Sequence, residues 1–286
     1  MTMSASRGAL YRDLVRRLRE NAVASPELDA RLLLSAATGV SDISLIADPD
    51  VFVDAEALAR LESLARRRLE GEPVSRILGT REFWGLEFLL GSETLDPRPD
   101  SETLIEAVLE AVEDRQAALR VLDLGTGSGC LLLALLSELP NATGLGIDCA
   151  EGALAVARQN AERLGLVGRV QFQEGNWGEG LEPGFDLLIS NPPYIPTPDL
   201  DGLGREVRNY DPLRALDGGG DGLDAYRALV PYTERLLVPG GLAFWEFGIG
   251  QVDDVSEIAV QAGLLVTGVA RDLGGLARVL IMKRPV

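Results

Sequence analysis

From residue 120 onward, short apolar runs alternate with stretches of helical periodicity, and that order leaves few folds open. The runs read as strands are RVLDL (120–124), TGLGID (143–148), RVQFQ (169–173), FDLLIS (185–190), GLAFWEF (241–247), LLVTGVA (264–270) and ARVLIMK (277–283). Helical patterns fall near 129–138, 150–164, 223–237 and 251–262. Strands that are apolar without alternation, separated by helices, imply a parallel sheet covered on both faces. Such a sheet binds ligands beyond the carboxyl ends of its strands.

The first part of the chain has another texture. LYRDLVRRLREN places Leu10, Leu14 and Leu18 on one helical face, ELDARLLLSAAT follows Pro26 and ends at Gly39, and DAEALARLESLARRRLEGEP is stopped by Gly71 and Pro73. Residues 1–75 are therefore expected to form a small all-helical domain. REFWGLEFLLG, centred on Trp84-Gly85, reads as a short hairpin within a linker over 76–95. The α/β domain then occupies 96–286. In it the stiff DPRPDSE (96–102) precedes a helix, TLIEAVLEAVEDR, that Asp100 or Ser101 could cap. One connection, 195–222, is far longer than a usual link, and loops of that length in compact domains are lids, binding loops or disordered.

Composition removes several functions. The net charge is −17, which opposes tight binding to nucleic acid through phosphates, and RRRL (66–69), the densest basic run, reads as a short solvated helix face. There is no histidine, so imidazole is absent both as a general base and as a metal ligand, and no metal site is expected. No apolar run is long enough to span a membrane, and the charged N-terminus lacks the apolar centre of a signal peptide; a cytoplasmic protein is expected. Cys130 and Cys149 are too few for a disulfide framework, and both fall in segments read as buried.

Four strand ends carry the chemistry. DLGTGSG (123–129) leaves the first strand and opens the first helix, and its glycines let the backbone turn tightly or approach a ligand at the helix N-terminus. The spacing Gly125-x-Gly127-x-Gly129 differs from the dinucleotide pattern. Alone, it is as well read as a plain turn. The second strand ends at Asp148, whose carboxylate could accept from both hydroxyls of a ribose. The surrounding acids Asp123, Asp148, Glu151 and Glu174, with no lysine or arginine nearby, suit a cationic ligand. S-adenosylmethionine, a sulfonium, fits that site better than NAD. After the third strand, Trp177 stands where a base would lie, as a stacking platform or as a core residue.

The fourth strand finishes on Asn191-Pro192-Pro193-Tyr194, beside the glycine loop if it neighbours the first strand as such sheets usually arrange it. Two prolines fix φ and remove two N–H donors. What remains is a stiff turn offering two acceptors, the Asn191 side-chain oxygen and the Pro192 carbonyl, which suit the two hydrogens of a substrate –NH2. Tyr194 can pack on a flat group. An amide nitrogen is a poor nucleophile because its lone pair is delocalised. Gripping both hydrogens favours lone-pair character aimed at an electrophilic methyl, a catalysis of positioning and electrostatics that needs no histidine.

With these residues in place, the chain resembles the release factor glutamine methyltransferases, the HemK/PrmC family, over essentially its whole length. The matching segments are the helical N-terminus, REFWGLEF (81–88), PRPDSE (97–102), DLGTGSG, Asp148, NPPY and DGGGDGL (217–223). The resemblance implies a class I S-adenosylmethionine-dependent methyltransferase domain, Rossmann-like, with a seven-stranded mostly parallel sheet and a helical N-terminal domain that recognises substrate. It implies S-adenosyl-L-methionine as cofactor, leaving as S-adenosyl-L-homocysteine, and as substrate the glutamine of the Gly-Gly-Gln motif in class 1 peptide chain release factors. Carried onto this chain, cofactor contacts fall on Gly125, Thr126, Gly127, Ser128, Gly129, Asp148, Trp177 and Asn191. Catalysis and the substrate amide fall on Asn191, Pro192, Pro193 and Tyr194. Three places depart from the family pattern: Asp96 replaces an apolar residue, Asp211-Pro212-Leu213 replaces Glu-Pro-Arg, and DLGGLAR (272–278) lacks the acid common before its arginine.

NPPY is shared with enzymes that methylate exocyclic amines of nucleic-acid bases, such as N6-adenine methyltransferases. The charge of −17 opposes that alternative, and no direct nucleic-acid contact is expected. A non-catalytic adapter that binds S-adenosylmethionine would have no use for two acceptors at the transfer point. An oxidoreductase using NAD conflicts with the glycine spacing. A monomer is expected.

Overall fold

The computed structural model describes residues 5–286; the first four residues of the expected helical segment lie outside them. The chain divides between Gly79 and Thr80 into two compact units.

The first unit holds helices α1 (Arg7–Glu20), α2 (Pro26–Thr38), α3 (Asp42–Ala47), α4 (Ala55–Leu69) and α5 (Val74–Leu78). Local chemistry sets their ends. Ser6 and Asp54 cap α1 and α4 by accepting from Ala9 N–H and Ala57 N–H, and α2 starts on Pro26 and stops at Gly39 in the left-handed region. Leu14, Leu18, Leu33, Leu34 and Leu61 fill the core, Leu10 packing at its edge. The arginine run needs a correction, because only Arg66 of its three arginines is exposed. Arg67 pairs with Glu72, and Arg68 is buried in an ion pair with Asp29 at 2.6 Å. A charge on the core-facing side of an amphipathic helix is paired rather than solvated.

The second unit opens with a hairpin, β1 (Thr80–Phe83) and β2 (Leu86–Leu89), turning on Trp84 and Gly85. Both turn residues have positive φ, 54° and 67°, as a two-residue hairpin turn demands. Helix α6 (Glu102–Ala111) follows. The main sheet contains β3 (Arg120–Leu124), β4 (Thr143–Asp148), β5 (Val170–Glu174), β6 (Phe185–Ser190), β7 (Leu237–Glu246), β8 (Leu265–Arg271) and β9 (Ala277–Lys283), in the order β5-β4-β3-β6-β7-β9-β8. The first five of these positions are parallel, and β9 lies antiparallel to both β7 and β8. Helices α7 (Cys130–Glu138), α8 (Glu151–Arg163), α10 (Asp224–Leu236) and α11 (Val252–Gln261) connect them.

One core cluster joins Leu104, Val108 and Leu132 to sheet residues Val121, Leu187 and Ile189. The other joins Leu122, Leu188 and Trp245 to Tyr226, Leu229 and Val255. Successive strand residues thus feed opposite cores, which is why these strands read as unbroken apolar runs. The strand order grows outward in opposite directions from β3 and β6. That reversal leaves a crevice between their carboxyl ends, the position where open α/β sheets take ligands.

The long connection is ordered. It contains 3-10 turns at Thr197–Gly202 and Leu213–Ala215 and helix α9 (Arg205–Tyr210). Its ends are tied together, with Ile195 N–H donating to Leu216 C=O at 3.0 Å, Gly218 N–H to Ile195 C=O at 2.8 Å, and Thr197 N–H to Gly219 C=O at 2.8 Å.

Candidate active site

The crevice is a pocket lined by Gly125, Thr126, Gly127, Ser128, Asp148, Trp177, Asn191 and Pro193, together with Leu95, Ser101, Ile147 and Asn176 among others. The structure therefore brings together residues from four separate strand ends. Gly129, Pro192 and Tyr194 are not among the lining residues. Gly129 begins α7 at φ 78°, where a Cβ would press on Ala157, Leu133 and Phe172, so close packing explains the glycine. Gly127, at φ 55°, faces open space: a Cβ there would meet nothing within 4 Å.

Asp148 does more than face the pocket. Its Oδ2 accepts from Gly127 N–H at 2.8 Å and its Oδ1 from Ala150 N–H at 2.9 Å, so the strand-end acid holds the glycine loop in shape. A carboxylate has lone pairs left for two ribose hydroxyls. Beneath the loop, Asp123 is buried and accepts from the Thr126 hydroxyl at 2.6 Å, while its Oδ1 has no partner among the described residues. Burial pushes its carboxyl up to about 7; the Thr126 bond works against that shift and the charge of Asp148 adds to it.

Trp177 stands between the core and the pocket. It packs against the second core cluster and also lines the pocket, and a Cβ on Gly125 would lie 3.6 Å from its ring. Its backbone φ of 53° is in the left-handed region, a strained conformation for so bulky a residue.

The cysteines correct one expectation. Cys130 is partly buried against the core, and burial raises its thiol pKa to about 12. Cys149 is exposed and lines the pocket, because it follows the last residue of β4 where the chain leaves the sheet. A second correction concerns cations: Arg214, from the long connection, reaches the pocket wall. Its guanidinium is paired with Glu93 at 2.7 Å, so the wall keeps its acidic balance. An acidic wall with apolar faces from Leu95, Ile147 and Trp177 fits a cationic nucleoside such as S-adenosylmethionine.

The NPPY turn is held from below. β6 pairs with β7 through Ser190 and Trp245, which puts Asn191 next to Glu246 at the sheet's carboxyl edge. Asn191 Nδ2 donates to Ser101 Oγ at 3.3 Å, and Gln251 Nε2 donates to Tyr194 C=O at 2.9 Å. Burial pushes the Tyr194 phenol above its ordinary range. The glycines of DGGGDGL make room for this arrangement. On Gly222 a Cβ would meet Tyr194 C=O at 2.5 Å, and on Gly218 it would meet Gly222 C=O at 2.8 Å.

Sequence reasoning missed the roles of four residues here. Gln251 anchors the turn, and Asp211 accepts from Asp96 N–H at 3.2 Å and from Arg98, stitching the long connection to PRPDSE. Arg278 bridges Asp100 at 2.6 Å and Asp272 at 2.8 Å. Glu246 is fully buried, with Oε2 unpartnered among the described residues. Only Glu246 carried a readable signal, an acid ending an apolar strand as Asp148 does.

A seven-stranded sheet of this order, with a glycine loop, a strand-end acid and a nucleoside-sized crevice at its switch point, defines a class I S-adenosylmethionine-dependent methyltransferase. The comparisons narrow the class. Residues 9–79 match the PrmC N-terminal domain and residues 115–213 a methyltransferase domain. The release factor glutamine methyltransferase of Rhodospirillum rubrum is 48% identical over 268 residues, 94% of this chain and 82% of that protein. That of Bradyrhizobium diazoefficiens is 45% identical, over 96% of this chain and 93% of its own. A methyltransferase from Pyrococcus furiosus shares the fold, with a TM-score of 0.52 at 18% identity over 79% of this chain and 100% of that one. The chain belongs to the release factor glutamine methyltransferase family.

Proposed function

We propose that this protein transfers a methyl group from S-adenosylmethionine to the side-chain amide nitrogen of the glutamine in the Gly-Gly-Gln motif of class 1 release factors. The observation that carries the reading is an intact Asn191-Pro192-Pro193-Tyr194 turn at the edge of a nucleoside-sized pocket, in a chain 48% identical to a release factor glutamine methyltransferase. When bound, S-adenosylmethionine supplies an electrophilic methyl on a sulfonium.

Gly125 to Ser128 and Asp148 hold the amino-acid and ribose parts of the cofactor, with Trp177 beside the base and Asn191 at the transfer point. The Asn191 oxygen and the Pro192 carbonyl accept the two hydrogens of the substrate amide, and Tyr194 packs on its plane. Pro192 and Pro193 stiffen the backbone that carries these acceptors, so the Pro192 carbonyl is set before the substrate arrives. The protein acts in the cytoplasm as a monomer, on a protein rather than on nucleic acid. The charge of −17 supports this last point, as does the lack, among the described residues, of any helix long and apolar enough to cross a membrane for the first.

Asn191→Ala tests the grip. It removes one acceptor and leaves a desolvated N–H unpaired, a loss of about 1–3 kcal/mol before misalignment is counted. Single-turnover methylation should fall on the order of a hundredfold or more. A near-wild-type rate with only a lowered melting temperature would reduce the turn to a strand terminator.

A further inference from the structure

Glu246 is a buried acid at this site that the proposed chemistry leaves idle. It ends β7 at 2% exposure beside Ser101 at 3%, and its Oε2 has no partner among the described residues. An acid is an expensive residue to bury without a role. Its neighbours point to one. Sheet register sets Glu246 beside Asn191, whose Nδ2 donates to Ser101 Oγ at 3.3 Å, and Ser101 and Asn191 both hold the carboxyl down against the effect of burial.

A charged carboxylate can only accept hydrogen bonds. Ser101 must then direct its O–H at Glu246 and meet Asn191 with a lone pair. A lone pair binds the NH2 end of the Asn191 carboxamide, and the Oδ1 end is left for the pocket. The order of donors thus decides which end of a nearly symmetric side chain meets the substrate. We propose that Glu246 is a positioning residue, which acts through Ser101 to hold the Asn191 oxygen toward the substrate amide. The inference rests on the amide-gripping role given to Asn191 above.

Reversal of the chain follows from the same chemistry. A neutral Glu246 can donate to Ser101, which can then donate to Asn191 Oδ1 and turn the NH2 end outward, where it repels the substrate's own N–H groups. Burial pushes Glu246 up to about 7, with Ser101, Arg278 of β9 and Asn191 opposing the shift and Asp100 adding to it. The other titratable groups facing it are the phenols of Tyr194 and of Tyr226 on α10, both pushed up, and the Cys130 thiol on α7, at about 12. None of these three changes charge near neutrality. The chain has no histidine to mask the effect. Burial also pushes Asp123 up to about 7, but it sits under the glycine loop, bonded to Thr126 and away from Ser101 and Asn191 in the relay.

The experiment is kcat against pH for the full-length enzyme at saturating S-adenosylmethionine with a class 1 release factor, between about pH 5.5 and about pH 9. The wild type should lose activity below about pH 7, approaching tenfold per pH unit. Glu246→Gln should lower kcat and abolish that acid limb, while affinity for S-adenosylhomocysteine stays within about twofold. Ser101→Ala, which keeps the carboxylate but cuts the relay, should also lower kcat and flatten the limb. An unchanged acid limb in Glu246→Gln, or wild-type kcat in both variants, would overturn the inference while leaving the Asn191 grip intact. A wild-type enzyme that does not methylate the release factor would overturn the grip and the inference together.

Discussion

At the end of β4 the Asp148 carboxylate holds two backbone N–H groups, and the ribose it is expected to bind would use its remaining lone pairs. Asp148→Ala should therefore weaken S-adenosylhomocysteine binding by at least about tenfold, through lost hydrogen bonds worth roughly 1.5–3 kcal/mol each and through a loosened glycine loop. Calorimetric titration measures it, and unchanged affinity would remove Asp148 from the site. Asp123 makes a different prediction. Its folded pKa, about 7, lies above the ordinary carboxylate value, so its contribution to stability is full at low pH and is lost as pH rises towards 7. Asp123→Asn should melt higher than wild type at pH 8 and show much less gain at pH 5; thermal denaturation at both pH values decides it. Asp148 was legible because an acid ending the second strand has a stereochemical reason to be there. Glu246 showed the same pattern and passed unread, since its meaning comes from Ser101, which is 145 positions away in sequence (246 minus 101).

The elements of the sheet were legible almost residue by residue, and β3, β4, β6 and β9 occupy the spans their apolar runs predicted. Burial on both faces writes itself into a strand as an unbroken apolar run. The long connection was not legible beyond its length, because its order comes from backbone bonds between residues 195–197 and 216–219 and from Gln251. Gly222 is the keystone of that contact. It has φ 79°, and a Cβ would press on both Tyr194 C=O and Gln251 Nε2. Gly222→Ala should destabilise the protein by about 1–3 kcal/mol and slow methyl transfer, while cofactor affinity stays near wild type. Parallel melting curves, kinetics and titration separate these effects. Loss of cofactor binding in a folded variant would mean that the NPPY turn and the cofactor loop are one rigid unit.

At the scale of the whole molecule, the chain carries a helical unit with its own core and a catalytic unit with a complete pocket. A glutamine on a folded partner calls for more recognition surface than a small pocket offers. Residues 80–286 alone should bind S-adenosylhomocysteine and methylate a release factor poorly; full activity from that folded piece would end the docking role assigned to the helices. The buried Arg68–Asp29 pair shows why that unit's detail was hard to read, since sequence gives the charge of a helix but not which face a distant acid will meet. The most direct measurement is mass spectrometry of tryptic peptides from a class 1 release factor incubated with enzyme and S-adenosylmethionine. The account predicts the mass of one methyl group on the glutamine of the Gly-Gly-Gln peptide with the wild type and almost none with Asn191→Ala. An unmodified peptide with the wild type, or equal modification with both, would contradict it.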